Sequence, residues 1–461
     1  MFKKFTNGCV QLVNRWLPDP FIFCIILTII VFVAAIPATG ALSHGFGGIL
    51  TLVENGWMGG VWSLLAFSMQ MALVLVLGNA FASAPIIKKF LHSVAGTFKT
   101  PTAAIIGITA ISTIACWINW GFGLVVGALL AKEIARQVKG VDYRLLMAAA
   151  YSGFVVWHAG FSGSIPLQIA SGFTFPNGVE VPATPIAQTI FSPWNIAMCL
   201  VILVGLPFIL AKAHPSPEET ISVDPALLAD EEFEFKKPET PAEKMEYNVV
   251  LSGLIVVAGL VGLVLYFMHH GADINLNIVN FIFLILGIAA HKTPIAYVKA
   301  IESAAKGAAG IILQFPFYAG IMGLMTFAFK DADGAVISGS LAGVISDFFV
   351  AISNRITFPI FTFLSAGVVN FFVPSGGGQW TVQGPIMMPA GEALGVSPAV
   401  TGMAIAWGDA WTNMVQPFWA LPALGIAGLS ARDIMGYCIL TLIFSGIVVC
   451  GGFIIVGLLT A

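Results

Sequence analysis

An aspartate and a histidine, each set in a run of residues that lipid would otherwise surround, are the side chains of this 461-residue chain best placed to do chemistry. Asp409 lies in AWGDAWTNMVQP and His158 in VVWHAGFSGSIP. An ionisable group at membrane depth is expensive to keep there, so it is a functional candidate by default. A lone carboxylate is relieved by a proton or by a bound cation, and Thr412, Asn413 and Gln416 follow Asp409 within one to two helical turns with neutral oxygens. The segment therefore reads as a coupling-ion site for H+ or Na+, the sodium falling at Asp409 and Asn413, or else as a structural carboxylate satisfied by backbone N–H groups. His158 reads two ways as well: it donates to a carboxylate or relays a proton, or it is simply hydrogen-bonded to a neighbouring helix. No other cofactor or metal is called for.

Two further stretches read as loops inside apolar sequence. CWINWGFG supplies Trp117, Asn119, Gly121 and Gly123, and NFFVPSGGGQW supplies Ser375, Gly376, Gly377, Gly378 and Gln379, with Thr381 and Gln383 just beyond. Bare backbone survives at membrane depth only where it is buried in protein or lines a watered cavity, and a helix that starts there offers free N–H groups to an anion. Ser162 and Ser164, in the interrupted segment after His158, add hydroxyls. No Lys or Arg sits near either tip, so a small monocarboxylate fits better than a dianion. Trp117, Trp120, Trp157, Trp380 and Trp411 cluster at the same breaks and either wall an apolar pocket or serve as packing and interface residues. GFSG also resembles the serine motif of intramembrane serine proteases. That chemistry needs a base within hydrogen-bond reach of Ser162, and His158 shares its strained segment.

The elements that must hold these residues are membrane spans. The chain is 58% hydrophobic and 9% charged, with a mean hydropathy of +0.93, whereas a soluble domain is about 25% charged. Runs such as 21–37, 194–211, 249–268 and 435–459 approach or exceed the ~20 residues a crossing needs. The first follows Lys3, Lys4 and Arg15 and ends in small residues like a signal peptide, but its length marks a retained helix. Six cysteines form no CxxC pair. They imply neither a disulfide framework nor a metal centre. The expected partners are the bilayer and a small cargo, with no nucleic acid.

One segment, 212–247, breaks the apolar pattern. It holds ten of the 23 acidic residues and five prolines, and reads as a solvated tether between two membrane halves, 1–211 and 248–461, or else as a regulatory segment. Lys and Arg place the N-terminus and this linker in the cytoplasm, with further cytoplasmic clusters at 88–99 and 132–144. The ~32 residues between those clusters are too few for two crossings, so 100–131 reads as a re-entrant hairpin. A broken span follows at 145–172. The second half repeats the order with a hairpin at 356–391 and a broken span at 397–428, at an offset of roughly 245 to 260 positions and with the opposite orientation. The expected fold is an all-α polytopic membrane protein: an inverted-repeat secondary transporter with about nine transmembrane helices and two re-entrant hairpins. A cation antiporter without organic cargo is the other transport reading.

The blocks LVNRWLPDPFIF, CWINWGFGLVVGALLAKEIAR, YSGFVVWHAGFSGSIPL, NFFVPSGGGQWTVQGPIM and AWGDAWTNMVQPFWALP make the whole chain resemble the bacterial short-chain fatty acid transporter family, the acetoacetate and butyrate permeases of the ion transporter superfamily. The Gly408–Asn413 pattern is similar to one in related carboxylate transporters. The resemblance implies a symporter of short monocarboxylates in the bacterial inner membrane, working as an elevator, with a homodimer among the assemblies such proteins adopt.

Overall fold

The computed structural model describes residues 2–16, 18–175, 179–224, 238–271, 275–331, 333–334 and 336–460. Helix starts follow the sequence's own punctuation. Pro101, Pro193 and Pro398 open their helices at positions where a missing N–H costs nothing. The residues before them, Thr100, Ser192 and Ser397, accept side-chain hydrogen bonds from the N–H groups of Ala103, Asn195 and Val400.

Among the described residues, eight helices are long and apolar enough to cross a membrane. Leu276–His291 and Phe358–Phe372, of 16 and 15 residues, rise only about 24 and 22 Å, short of the ~30 Å hydrocarbon core. The chain is an all-α polytopic membrane protein. Its β content is slight: Phe173–Thr174 pairs antiparallel with Glu180–Val181, and Lys330 bridges Val336.

The helices pack in two groups. Pro20–Ala38, Leu65–Ser83, Leu276–His291, Pro294–Ala305 and Ala309–Thr326 form a framework, joined by contacts such as Phe21 against Phe317 at 5.0 Å. Pro101–Ile118, Trp120–Gln137, Tyr143–Ser152, Pro193–Lys212, Phe358–Phe372, Gly376–Ala393, Pro398–Thr412 and Ala431–Thr460 form the other group, which holds both backbone breaks of each half. Glycines bring the groups together. A Cβ on Gly78 would lie 2.5 Å from Val125, and one on Gly425 2.8 Å from the Gly307 carbonyl oxygen.

The acidic linker is a tether in part only. Residues 225–237 lie outside the described residues, but the stretch before them is tied down. Asp142, fully buried, accepts from the Leu145 N–H through Oδ1 and from the Ile221 N–H through Oδ2, both at 2.9 Å. The Asp142 N–H donates to His214 Nε2 at 3.1 Å, and the Tyr143 N–H donates to the Ile221 carbonyl at 2.9 Å. Ser216 and Asn7 donate to Glu219 and hold its carboxyl below the usual range. On the far side a capping box at Thr240 and Glu243 starts the short helix Pro241–Glu246. Composition alone misses this because backbone groups, rather than apolar side chains, make the attachment. Asp142→Ala removes the cap and the side-chain tie to the Ile221 N–H while leaving the backbone bonds to His214 and Ile221, and the purified protein is expected to lose about 1–3 kcal/mol, read as a lower melting temperature in detergent.

Candidate functional site

The two loop-like stretches are helix-to-helix breaks of closely similar geometry. Pro101–Ile118 and Trp120–Gln137 pack against each other with Asn119 alone between them, at φ −152° and ψ 119°. Ser375, before Gly376–Ala393, has φ −152° and ψ 110°. Each polar residue caps the helix that follows: Asn119 Oδ1 accepts from the Phe122 N–H at 3.0 Å and Ser375 Oγ from the Gly378 N–H at 3.3 Å. A capped start leaves first-turn N–H groups that the helix cannot satisfy itself.

The histidine segment is wound as a 3-10 turn, Gly153–Ala159, after Tyr143–Ser152 and before Ser164–Ser171. It is tied to the first break, since the Phe161 N–H donates to the Trp117 carbonyl at 2.9 Å and the Trp120 N–H to Ser162 Oγ at 3.0 Å. Gly160 permits this approach: a Cβ there would lie 2.0 Å from the Trp117 carbonyl oxygen. Ser164 begins the next helix.

His158 and Asp409, 251 positions apart and both without solvent exposure, meet through Nδ1 and Oδ2 at 2.8 Å. The other ring nitrogen, Nε2, accepts the Ile165 N–H at 3.1 Å, which places the histidine proton on Nδ1, facing the carboxylate. Trp157 stacks on the ring at 4.1 Å, and Gly376 closes over it: a Cβ there would lie 2.6 Å from His158 Cε1. Asp409 Oδ1 has no hydrogen-bond partner among the described residues. A buried carboxylate oxygen left so is unstable as an anion, and a proton is the smallest group that relieves it.

The oxygens expected beside Asp409 are engaged elsewhere. Thr412 Oγ1 donates to the Gly367 carbonyl at 2.8 Å, Asn413 Oδ1 accepts from Asn370 Nδ2 at 2.8 Å, and Gln416 Oε1 accepts from the Phe418 N–H at 2.7 Å. Among the described residues, no group of three or more His, Cys, Asp and Glu side chains is placed to hold a metal ion. Gln379 donates to the Ala366 carbonyl and to Gln383, between the helices Phe358–Phe372 and Gly376–Ala393. Gly121 lies near Leu276 and Gly123 packs on Cys116. Ser162 Oγ is held by Trp120, and both His158 nitrogens are occupied by groups other than Ser162.

The tryptophans divide by burial. Trp120, Trp157 and Trp380 are core residues, whereas Trp117 is partly buried against Phe161 and Trp411 donates to the Leu442 carbonyl. Asn370, which bridges Thr412 and Asn413, carried a signal that sequence reading passed over: it is a buried amide in the last turn before the second break.

A polytopic α-helical membrane protein whose paired helix breaks converge on a buried ionisable pair is the class this arrangement defines. The chain belongs to the short chain fatty acid transporter family, whose profile matches residues 1–456. A curated protein of Escherichia coli (strain K12), provisionally named a short-chain fatty acid transporter, is 45% identical over 453 residues, covering 97% of this chain and 98% of its own. One of Haemophilus influenzae (strain ATCC 51907 / DSM 11121 / KW20 / Rd) with the same name is 44% identical over 458 residues, covering 96% and 98%. The crystal structure of the Alcanivorax borkumensis YdaH transporter aligns over 95% of this chain and 98% of its own at 16% identity, with a TM-score of 0.43, too loose a likeness to carry an argument.

Proposed function

We propose that the protein is a secondary active transporter of short-chain monocarboxylates such as butyrate and acetoacetate, coupled to protons through His158 and Asp409. Family membership supports the cargo class. The single observation that carries the coupling is the buried pair with one unpartnered carboxylate oxygen, Asp409 Oδ1. An ionised Asp409 repels an arriving carboxylate; at roughly 8 Å and an effective dielectric of 20 the penalty is about 2 kcal/mol. Protonation at Oδ1 removes it, so proton and cargo load together.

In the proposed cycle the two halves are inverted repeats and both hairpins are re-entrant. The group that carries the breaks moves past the framework as an elevator across the glycine contacts at Gly78 and Gly425. The protein sits in the bacterial inner membrane with the N-terminus and linker in the cytoplasm, and a homodimer is the proposed assembly. Proteoliposomes given labelled butyrate or acetoacetate are expected to accumulate it under an inward proton gradient with or without sodium. Accumulation that needs sodium and ignores the proton gradient would overturn the coupling, and cation exchange without any carboxylate uptake would replace the cargo.

A further inference from the structure

We propose that Tyr318 and Gln416 form a two-sided clamp for the cargo carboxylate, with one donor on the framework and one on the moving group. The inference rests on the monocarboxylate elevator reading above. Tyr318, on the framework helix Ala309–Thr326, and Gln416, just past the helix Pro398–Thr412, are both without solvent exposure. The Tyr318 hydroxyl lies beside both the Gln416 amide and the Cys24 thiol, yet neither that hydroxyl nor Gln416 Nε2 makes a hydrogen bond of ordinary geometry among the described residues. The Gln416 amide is not free to turn, because its oxygen is held by the Phe418 N–H at 2.7 Å, and so its NH2 is the end presented. Phe418 also packs edge-on to the tyrosine ring at 5.1 Å and stacks on Phe315 at 4.1 Å, fixing both partners against an apolar wall.

The same framework helix reaches the glycine tip. A Cβ on Gly378 would lie 3.0 Å from Met322 Sδ, one turn beyond Tyr318. Tyr318 is thus one helical turn along from the residue that touches the first turn of Gly376–Ala393, where helix N–H groups are left without intrahelical partners. An amide NH2 cannot coordinate a cation, whereas a carboxylate is an acceptor with about four lone-pair directions and satisfies both donors at once. Buried donors without partners call for such a group.

The arrangement has a sidedness. Gln416 travels with the cargo; Tyr318 stays behind. The tyrosine therefore contributes to binding at only one end of the cycle. The test uses oriented proteoliposomes, with labelled butyrate varied on one face and then on the other. Tyr318→Phe, which keeps the ring packing, is expected to raise KM about tenfold from one face only, with kcat within about twofold of wild type. Gln416→Met is expected to raise KM from both faces. An unchanged KM on both faces for Tyr318→Phe, as when the donors hold only water, would overturn the clamp, and so would an equal rise on both. Melting temperatures of both variants separate these outcomes from misfolding. Wild-type vesicles that move no butyrate would instead sink the function reading itself.

Discussion

Vesicles carrying Asp409→Asn are expected to stop at equal concentrations of cargo inside and out under a gradient that drives the wild type to accumulate it. With one proton moved per monocarboxylate, a gradient of one pH unit supports about tenfold accumulation, or 1.36 kcal/mol. The variant is expected to lose all of it. The substitution keeps the shape: the asparagine oxygen still accepts from His158 Nδ1, and the amide NH2 takes the place of the unpartnered Oδ1. What disappears is the atom that gains and loses the proton. Exchange of labelled for unlabelled butyrate needs no such change and is expected to persist, because asparagine imitates the protonated acid. Concentrative uptake and counterflow in the same vesicles decide it; retained accumulation with the wild-type pH dependence would place coupling elsewhere.

The second large effect is expected at the glycine tip, where two adjacent residues should fail for different reasons. A Cβ on Gly377 meets nothing nearer than Gln168 Nε2 at 4.0 Å, so the folded protein has room for a side chain there. Gly377→Val is expected to keep a wild-type melting temperature and lose uptake by about two orders of magnitude, since a misplaced contact of an ångström already costs that much. Gly376 has no such room. With a Cβ 2.6 Å from His158 Cε1, Gly376→Ala must displace the ring that holds Asp409, and overpacking of this kind costs about 1–3 kcal/mol. Melting temperature and uptake measured together separate the two, and wild-type uptake by Gly377→Val would refute a cargo site at the tip.

The breaks at Asn119 and Ser375 are legible in the sequence because cap and glycine chemistry is local: a residue and its next three neighbours decide it. The pairing of His158 with Asp409 is not local. Each is visible as a costly residue in an apolar run, but nothing in either run says that the other, 251 positions away, is its partner. Tyr318 was hidden for a different reason. On an apolar helix a tyrosine reads as packing, and only the missing partner of its hydroxyl marks it. The basic residues Lys132 and Arg136, read as marking where the apolar stretch 100–131 ends, lie within a helix that continues to Gln137. There Glu133 is paired with Arg136 at 3.1 Å and with His92 at 2.9 Å, so charge patterning marks the end of the apolar stretch and not of the helix.

The attachment of the linker at Asp142 bears on how the chain is made. Asp142 can cap its own helix and pair with Arg144 as soon as these neighbours follow it, but its partners in the linker, His214 and Ile221, lie 72 and 79 positions later. At about 5–20 residues per second the ribosome needs roughly 4–16 s to supply the last of them. During that interval an aspartate destined for complete burial is still without its linker partners, and the end of the helix Tyr143–Ser152 stays uncovered. The stretch from His214 to Ile221 is thus the closing piece for a helix start made 72 to 79 positions earlier.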